Sequence, residues 1–366
     1  MTTFAVITGG GTAGHVLPAL AVAEALVDRG HDPSTIRYVG ARRGVETRLL
    51  PATPFPAHFL DVVGFQRRPT VENLAFIPKQ LIARRAAVRL LRDLRPRVVV
   101  SVGGYASMPS VLAARRLGIP VVVVSYDHVP GRASRVAARH AVACAVAFPD
   151  SDLPRAVLTG APVRREILEV DRAADRDGAR RELGIDGARF VVAVVGGSLG
   201  SGVLNDVVSR FVAARSTDGG LTVRHVVGER FVASAPSARD GSDGTLQYQP
   251  VGYEERMELL YAAADLIVGR AGASTVHEVA AVGAPAILVP WAGSAEDHQT
   301  LNARWLADDG AALHLAERDV DQLPGLIDRL RSQPDELAGL GSAAARKGEV
   351  HRSGALAELV ESVAIA

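Results

Sequence analysis

Twice in this chain a short apolar strand runs into a glycine-rich turn and out again into a helix. The first pass is Phe4-Ala5-Val6-Ile7-Thr8, then Gly9-Gly10-Gly11-Thr12-Ala13-Gly14-His15, then the helical pattern Val16–Arg29. The second is Phe190–Val195, then Gly196-Gly197-Ser198-Leu199-Gly200-Ser201-Gly202, then Val203–Ala213. Strands that are apolar at nearly every position need cover on both faces, and their alternation with helices predicts parallel, doubly wound α/β sheets. Further strands are expected at Ile36–Val39, Val98–Val102, Val121–Ser125, Ala141–Phe148, Val223–Val227, Leu246–Gln249, Leu266–Gly269 and Ala286–Val289. Helices are expected at Gln80–Leu94, Pro109–Leu117 and Gly131–Arg139, and the polar stretch Ser234–Gly244 reads as a flexible surface loop. Ligands of such sheets bind at the C-terminal ends of the strands, so two units facing an interdomain cleft would bring both glycine turns to one ligand.

At 366 residues the chain fits two moderate domains, with a joint near Gly160-Ala161-Pro162 where Gly and Pro interrupt the pattern. The expected limits are 1–162 and 163–345, with 346–366 a C-terminal helix able to pack back on the first domain. Charge divides the same way. Residues 1–162 hold 20 Lys and Arg against 10 Asp and Glu, and the remainder holds 21 against 30, although the whole chain is only +1. A basic first half looks toward phosphates, nucleic acid or an anionic membrane surface. The single cysteine, Cys144, lies in the apolar run Ala141–Ala147 and reads as a buried small hydrophobe. Met1 leads directly into the first strand, so no signal peptide is expected, and no run of eighteen apolar residues predicts a spanning helix. A cytosolic enzyme is the expectation.

The first glycine turn gathers backbone N–H groups and a helix's positive end around a volume suited to a phosphate or a negatively charging transition state. Gly9, Gly11 and Gly14 satisfy G-x-G-x-x-G, the dinucleotide fingerprint, but the second strand ends Val39-Gly40-Ala41-Arg42-Arg43 without the acidic residue that fingerprint wants. An NADP site with arginines, or a plain tight turn, both remain open. His15 sits on the first helical turn, where it could move a proton. In Gly269-Arg270-Ala271-Gly272-Ala273-Ser274-Thr275-Val276-His277-Glu278, small residues again open a helix after a strand. Glu278 there suits either a ribose diol or a favourable helix dipole. Glu296-Asp297-His298-Gln299-Thr300-Leu301-Asn302-Ala303 offers amides that can read sugar hydroxyls, with no metal-ligand spacing. Asp150-Ser151-Asp152 matches D-x-D, yet its Pro-flanked context reads as solvated turn carboxylates. Phe65–Arg97 carries nine basic residues (Arg67, Arg68, Lys79, Arg84, Arg85, Arg89, Arg92, Arg95, Arg97) against Glu72 and Asp93, interleaved with Leu74, Phe76, Ile77, Leu81 and Ile82. That mixture fits an anionic bilayer, or a helix with a solvated basic face; stacking aromatics for nucleic acid are scarce.

Taken together these segments resemble the MurG family. The resemblance covers nearly the whole chain in order: GGGTAGHVLPALAVAEAL, GARRGVE (Gly40–Glu46), GGYASMPSVLAA (Gly103–Ala114), GAPVR (Gly160–Arg164), GGSLG, RAGASTVHE and DHQTLNA. It implies a GT-B type fold, two Rossmann-like domains across a cleft, and inverting transfer of N-acetylglucosamine from UDP-N-acetylglucosamine to the undecaprenyl-linked lipid I at a peripheral membrane site. No cofactor and no metal are implied, and no nucleic-acid partner. His15 and Asp127 become the catalytic candidates. Thr12, Ala13, Gly14, Asp127, Arg164, Ser198, Glu254, Ala273, Ser274, Thr275, Val276, His277, Glu278 and Gln299 become the donor set. Gly103, Gly104 and Tyr105 fall on the acceptor side.

The chain departs from the family pattern where H-E-Q-N is replaced by Val124-Ser125-Tyr126-Asp127, at Ala161 for Asn and at Leu199 for Gln. An Asn donates and accepts, whereas an ionised Asp only accepts, so another acceptor is the principal alternative. A UDP-sugar epimerase, an NADP oxidoreductase or a non-catalytic membrane-docking protein would be separated by acceptor dependence, nicotinamide binding and UDP-sugar affinity.

Overall fold

The computed structural model describes residues 3–62 and 76–365, with the side chains of Ala13 and residues 76–78 outside that description. Of the basic stretch, Phe65, Arg67, Arg68, Glu72 and Leu74 therefore lie outside the described residues, as do the side chains of Phe76 and Ile77. The chain forms two compact units, Met1–Arg165 with Val350–Ala366, and Glu166–Glu349.

The first unit is built on a parallel sheet of β1 (Ala5–Thr8), β2 (Ile36–Ala41), β3 (Ala57–Leu60), β4 (Val98–Ser101), β5 (Val121–Ser125), β6 (Ala143–Val146) and β7 (Ala156–Leu158). Their spatial order is β3-β2-β1-β4-β5-β6-β7. Every residue of β1, β4 and β5 is buried, as the unbroken apolar runs require of strands covered on both faces. Because β1 neighbours β2 on one side and β4 on the other, the order reverses there and opens a crevice at the strands' C-terminal ends. Thr8 is in register with both Val39 and Ser101, so the loops after β1 and β4 leave the sheet side by side.

The second unit repeats the plan with β8 (Phe190–Val195), β9 (Leu221–Val226), β10 (Gln247–Val251), β11 (Leu266–Gly269), β12 (Ala286–Leu288) and β13 (Leu313–His314), ordered β10-β9-β8-β11-β12-β13. Val195 is level with Gly269, and Gly269 with Leu288, so three loops emerge together at its switch point.

Three edge strands, β3, β7 and β13, were not expected. β3 lies among Pro51, Pro54 and Pro56, β7 is exposed along its length, and β13 has two residues. The expected strand Ala141–Phe148 is confined to Ala143–Val146. Helix Ala13–Asp28 starts three residues earlier than the apolar pattern, because Thr12 is extended and serves as its N-cap. Ser234–Gly244 is partly tied down: Arg239 bridges Tyr248 in both directions at 2.9 Å, and the Gly241 carbonyl accepts from Arg189 at 2.7 Å. In the first unit, helix Ala355–Ile365 buries Leu356, Ala357 and Val360, while Glu358 and Glu361 pair with Arg29 at 3.2 and 3.0 Å.

Candidate active site

Side chains on β2, just beyond β2 and just beyond β5 hold the glycine turn after β1. The Tyr38 hydroxyl on β2 donates to the Gly9 carbonyl at 2.9 Å. Glu46, fully buried, accepts from the Gly11 N–H at 3.2 Å and from the Ala41 N–H at 2.7 Å. The Tyr126 hydroxyl donates to the Gly14 carbonyl. That last bond has a cause in the sequence. Pro18 sits four residues further along helix Ala13–Asp28 and has no N–H to offer Gly14, so a hydroxyl from beyond β5 supplies the missing donor. Glycine is required at two points of the turn. A Cβ on Gly10 would stand 2.3 Å from a Glu46 oxygen, one on Gly11 2.5 Å from the Tyr105 ring, and both backbones have positive φ.

On this fixed turn His15 occupies the first helical turn. Its Nδ1 lies 3.0 Å from Thr12 Oγ1, and a Cβ on either Gly103 or Gly104 would stand 3.4 Å from the ring. In the tautomer whose Nδ1–H donates to Thr12, Nε2 carries a lone pair and can accept a proton. His15, Gly104, Ser125, Asp127, Arg132 and Ser134 line one cavity of about 220 Å³. Burial lowers the imidazole below its ordinary pKa of 6.5, while the negative charges of Asp127 and then Glu46 pull it partly back. The imidazole is thus neutral at pH 7, the form a general base needs.

The structure brings His15, Asp127, Gly103, Gly104 and Tyr105 to one crevice of the first unit. It corrects one expectation there. The Gly11 N–H is not available to a phosphate, because a buried carboxylate already accepts from it and would repel a second anion. Asp150 and Asp152 are paired with His128 at 3.1 Å and Arg135 at 2.5 Å. Among the described residues no group of three or more His, Cys, Asp or Glu is placed to hold a metal ion. Cys144 is fully buried on β6, its thiol pushed up to about 11, chiefly by burial. Arg164 is half-buried and follows β7 in this first unit.

In the second unit the loops after β8, β11 and β12 carry most of the expected donor set. Ser198 is exposed on the first of them. Helix Ala273–Val282 opens behind the N-cap Gly272, presenting first-turn N–H groups from Ala273, Ser274 and Thr275. Val276 and His277 are buried, so only their backbones could meet a ligand; the His277 ring packs edge-on to Trp305 at 5.3 Å. Glu278 is half-buried, its Oε2 accepting from the Tyr261 hydroxyl at 2.9 Å. Gln299 Oε1 accepts from the Trp291 N–H at 2.9 Å, fastening its loop. Glu254 does not join this group. It lies beyond β10, two strands from the switch point, buried in an ion pair with Arg224 at 2.6 Å.

Sequence reasoning gave no role to five residues that build these sites. Glu46, Tyr38 and Tyr126 pin the first glycine turn, and Tyr261 orients Glu278. Arg270 is nearly buried and donates to Ser201 Oγ at 2.6 Å and to the Val289 and Pro290 carbonyls at 3.2 Å, tying the loops after β8, β11 and β12 together. Pro18 was the one available signal, since it announces an orphan carbonyl at Gly14.

Residues 5–146 match the glycosyltransferase family 28 N-terminal domain and residues 191–354 its C-terminal domain. The UDP-N-acetylglucosamine–N-acetylmuramyl-(pentapeptide) pyrophosphoryl-undecaprenol N-acetylglucosamine transferase of Clavibacter sepedonicus is 42% identical over 366 residues, covering 98% of this chain and 96% of its own length. The enzyme of that name from Nocardioides sp. is 40% identical, with 93% and 92% covered. Among solved structures, Acinetobacter baumannii MurG superposes with a TM-score of 0.71 at 28% identity, covering both chains completely. The UDP-GlcNAc 2-epimerase of Neisseria meningitidis reaches 0.67 at 12% identity over both full chains, a likeness of fold alone.

Proposed function

The chain belongs to the MurG family of glycosyltransferases, enzymes that move N-acetylglucosamine from UDP-N-acetylglucosamine to lipid I and so form lipid II, and we propose that His15 is the group that activates its acceptor hydroxyl. The reaction is an inverting transfer. The C4 hydroxyl of N-acetylmuramic acid attacks the anomeric carbon from the face opposite UDP; its proton passes to His15 Nε2, the anomeric C–O bond breaks, and UDP leaves with the bonding pair. The observation that carries this reading is His15 itself, neutral, steadied by Thr12, and facing one cavity with Asp127. Asp127 raises the basicity of His15 and steers the imidazolium that forms. The N-terminus of helix Ala273–Val282 offsets charge growing on the leaving diphosphate, and Glu278, held by Tyr261, accepts from the ribose diol.

The basic helix Phe76–Leu94 is the proposed membrane-docking element. Its Ala83, Ala87 and Leu91 face the core, while Leu81 and Ile82 are 49% and 61% exposed beside exposed Lys79 and Arg85. Apolar side chains flanked by cations suit the surface of an anionic bilayer, where the undecaprenyl-linked acceptor resides. No helix among the described residues is long and apolar enough to cross a membrane. The reading is therefore a peripheral enzyme at the cytoplasmic membrane face.

Purified protein given labelled UDP-N-acetylglucosamine and a lipid I analogue is expected to form the disaccharide-linked lipid, and His15→Ala to abolish most turnover while UDP affinity holds. Intact turnover in His15→Ala would remove the base assignment. A second reading rests on Asp127 and Tyr126, which replace the family's Asn and Gln. If transfer runs faster to another lipid-linked sugar than to the lipid I analogue, those two residues mark a changed acceptor.

A further inference from the structure

Glu46 is the least expected group in the first unit. It is a carboxylate with 0% exposure, and its described hydrogen-bond partners are the backbone N–H groups of Gly11 and Ala41. Burying a carboxylate costs far more than burying an amide, so a merely structural brace at this position is more cheaply made by Gln or Asn. Room for it comes from three missing side chains. A Cβ on Gly44 would stand 1.8 Å from its Oε2, one on Gly10 2.3 Å and one on Gly40 3.1 Å from its Oε1. Three glycines, on the turn after β1, on β2 itself and on the loop after β2, thus form a cage whose contents are one negative charge. The caged charge reaches the glycine turn at Gly11, the position where a nucleotide-binding turn of this shape offers its N–H to a phosphate.

We propose that Glu46 is a built-in anion that fills the phosphate seat of the first glycine turn, and that it acts as a positioning residue for His15. The turn then keeps the rigid geometry of a phosphate cradle without competing for the donor's diphosphate. Its opposite wall, carrying Thr12 and His15, is left to face the sugar acceptor. Other polar and charged groups around His15 are Asp127 and Tyr126 after β5, Arg132 at the cavity rim and Tyr105 after β4. Tyr38 and Tyr126 brace the same turn at Gly9 and Gly14, so removing Glu46 loosens its middle while its ends stay fixed.

The inference rests on the glycosyl-transfer reading, and the test keeps the two separable. Glu46→Gln preserves the shape but sets an NH2 or a neutral oxygen against Gly11. It is expected to lower kcat on the order of tenfold to a hundredfold, with UDP affinity and KM for UDP-N-acetylglucosamine within about twofold. The acid limb of its kcat/KM profile is expected at lower pH, since His15 loses one of its two negative neighbours. Amide exchange of Gly9–His15 should quicken in the same variant. Glu46→Asp keeps the charge but loses reach, and should recover the pH limb more than kcat; it carries the test if Glu46→Gln does not fold. A folded variant with parental kcat and an unmoved limb overturns the proposal. Low turnover with unchanged exchange overturns the positioning role, while a parent enzyme that transfers no sugar strikes the underlying reading instead.

Discussion

A histidine acts as a base only if it is neutral when substrate arrives, and at His15 burial secures this while Asp127 keeps it from becoming too weak. The sign of a pH effect follows. Activity rises as His15 loses its proton, so the acid limb of kcat/KM tracks its pKa. Asp127→Asn removes a negative neighbour, lowers that pKa further, and is expected to move the limb to lower pH; a limb that moves up, measured with a soluble acceptor, would detach Asp127 from His15. His15→Ala is expected to cost on the order of a hundredfold to ten-thousandfold in kcat. His15 was legible in the sequence because it follows a glycine turn directly. Glu46 was not, since its meaning depends on Gly10, Gly40 and Gly44 closing around it, and only the folded chain brings Gly10 across from the other loop. Glu254 reads oppositely: the family resemblance offered it as a donor contact, and the fold sets it in a buried ion pair with Arg224.

At the level of elements, strands buried on both faces were the most readable, because nothing else accommodates three or four consecutive valines. Edge strands such as β7 bury little and leave no periodic mark. Helix Phe76–Leu94 shows the same rule from its other side: Ala83, Ala87 and Leu91 recur every four residues along the core stripe, and Leu81 and Ile82 fall off it. Leu81→Asp with Ile82→Asp is expected to weaken binding to anionic vesicles at least tenfold while transfer to a short-chain acceptor is preserved. Vesicle sedimentation that is unaffected would end the docking assignment. Helix Ala273–Val282 depends on a neighbour for its chemistry. Tyr261→Phe removes the donor that steadies Glu278 and is expected to raise the Kd for UDP several-fold by calorimetry, with kcat little altered. An unchanged Kd would release Glu278 from the ribose.

Across the whole molecule the charge division seen in the sequence belongs to two units of separate construction, yet the first unit is not one stretch of chain. Its closing helix, Ala355–Ile365, is fastened by Arg29 and His31 to Glu361, at 3.0 Å in both cases. Burial alone would raise the Glu361 carboxyl, but the hydrogen bonds from Arg29 and His31 outweigh it and hold it below its ordinary value. A depressed carboxyl stabilises the fold above its unfolded pKa and loses that contribution as pH falls through the folded one. The clasp is therefore expected to weaken in acid, and Glu361→Gln to flatten the acid arm of a Tm-against-pH curve. An arm of unchanged slope would assign the loss elsewhere.

The same return of the chain sets an order of events during synthesis. Arg165 leaves the ribosome long before Val350, and the intervening 166–349 make up the whole second unit. At about 5–20 residues per second that gap lasts roughly ten to forty seconds. Throughout it the nascent first unit lacks the helix that brings Leu356 and Val360 to its core, so the unit begun first is finished last.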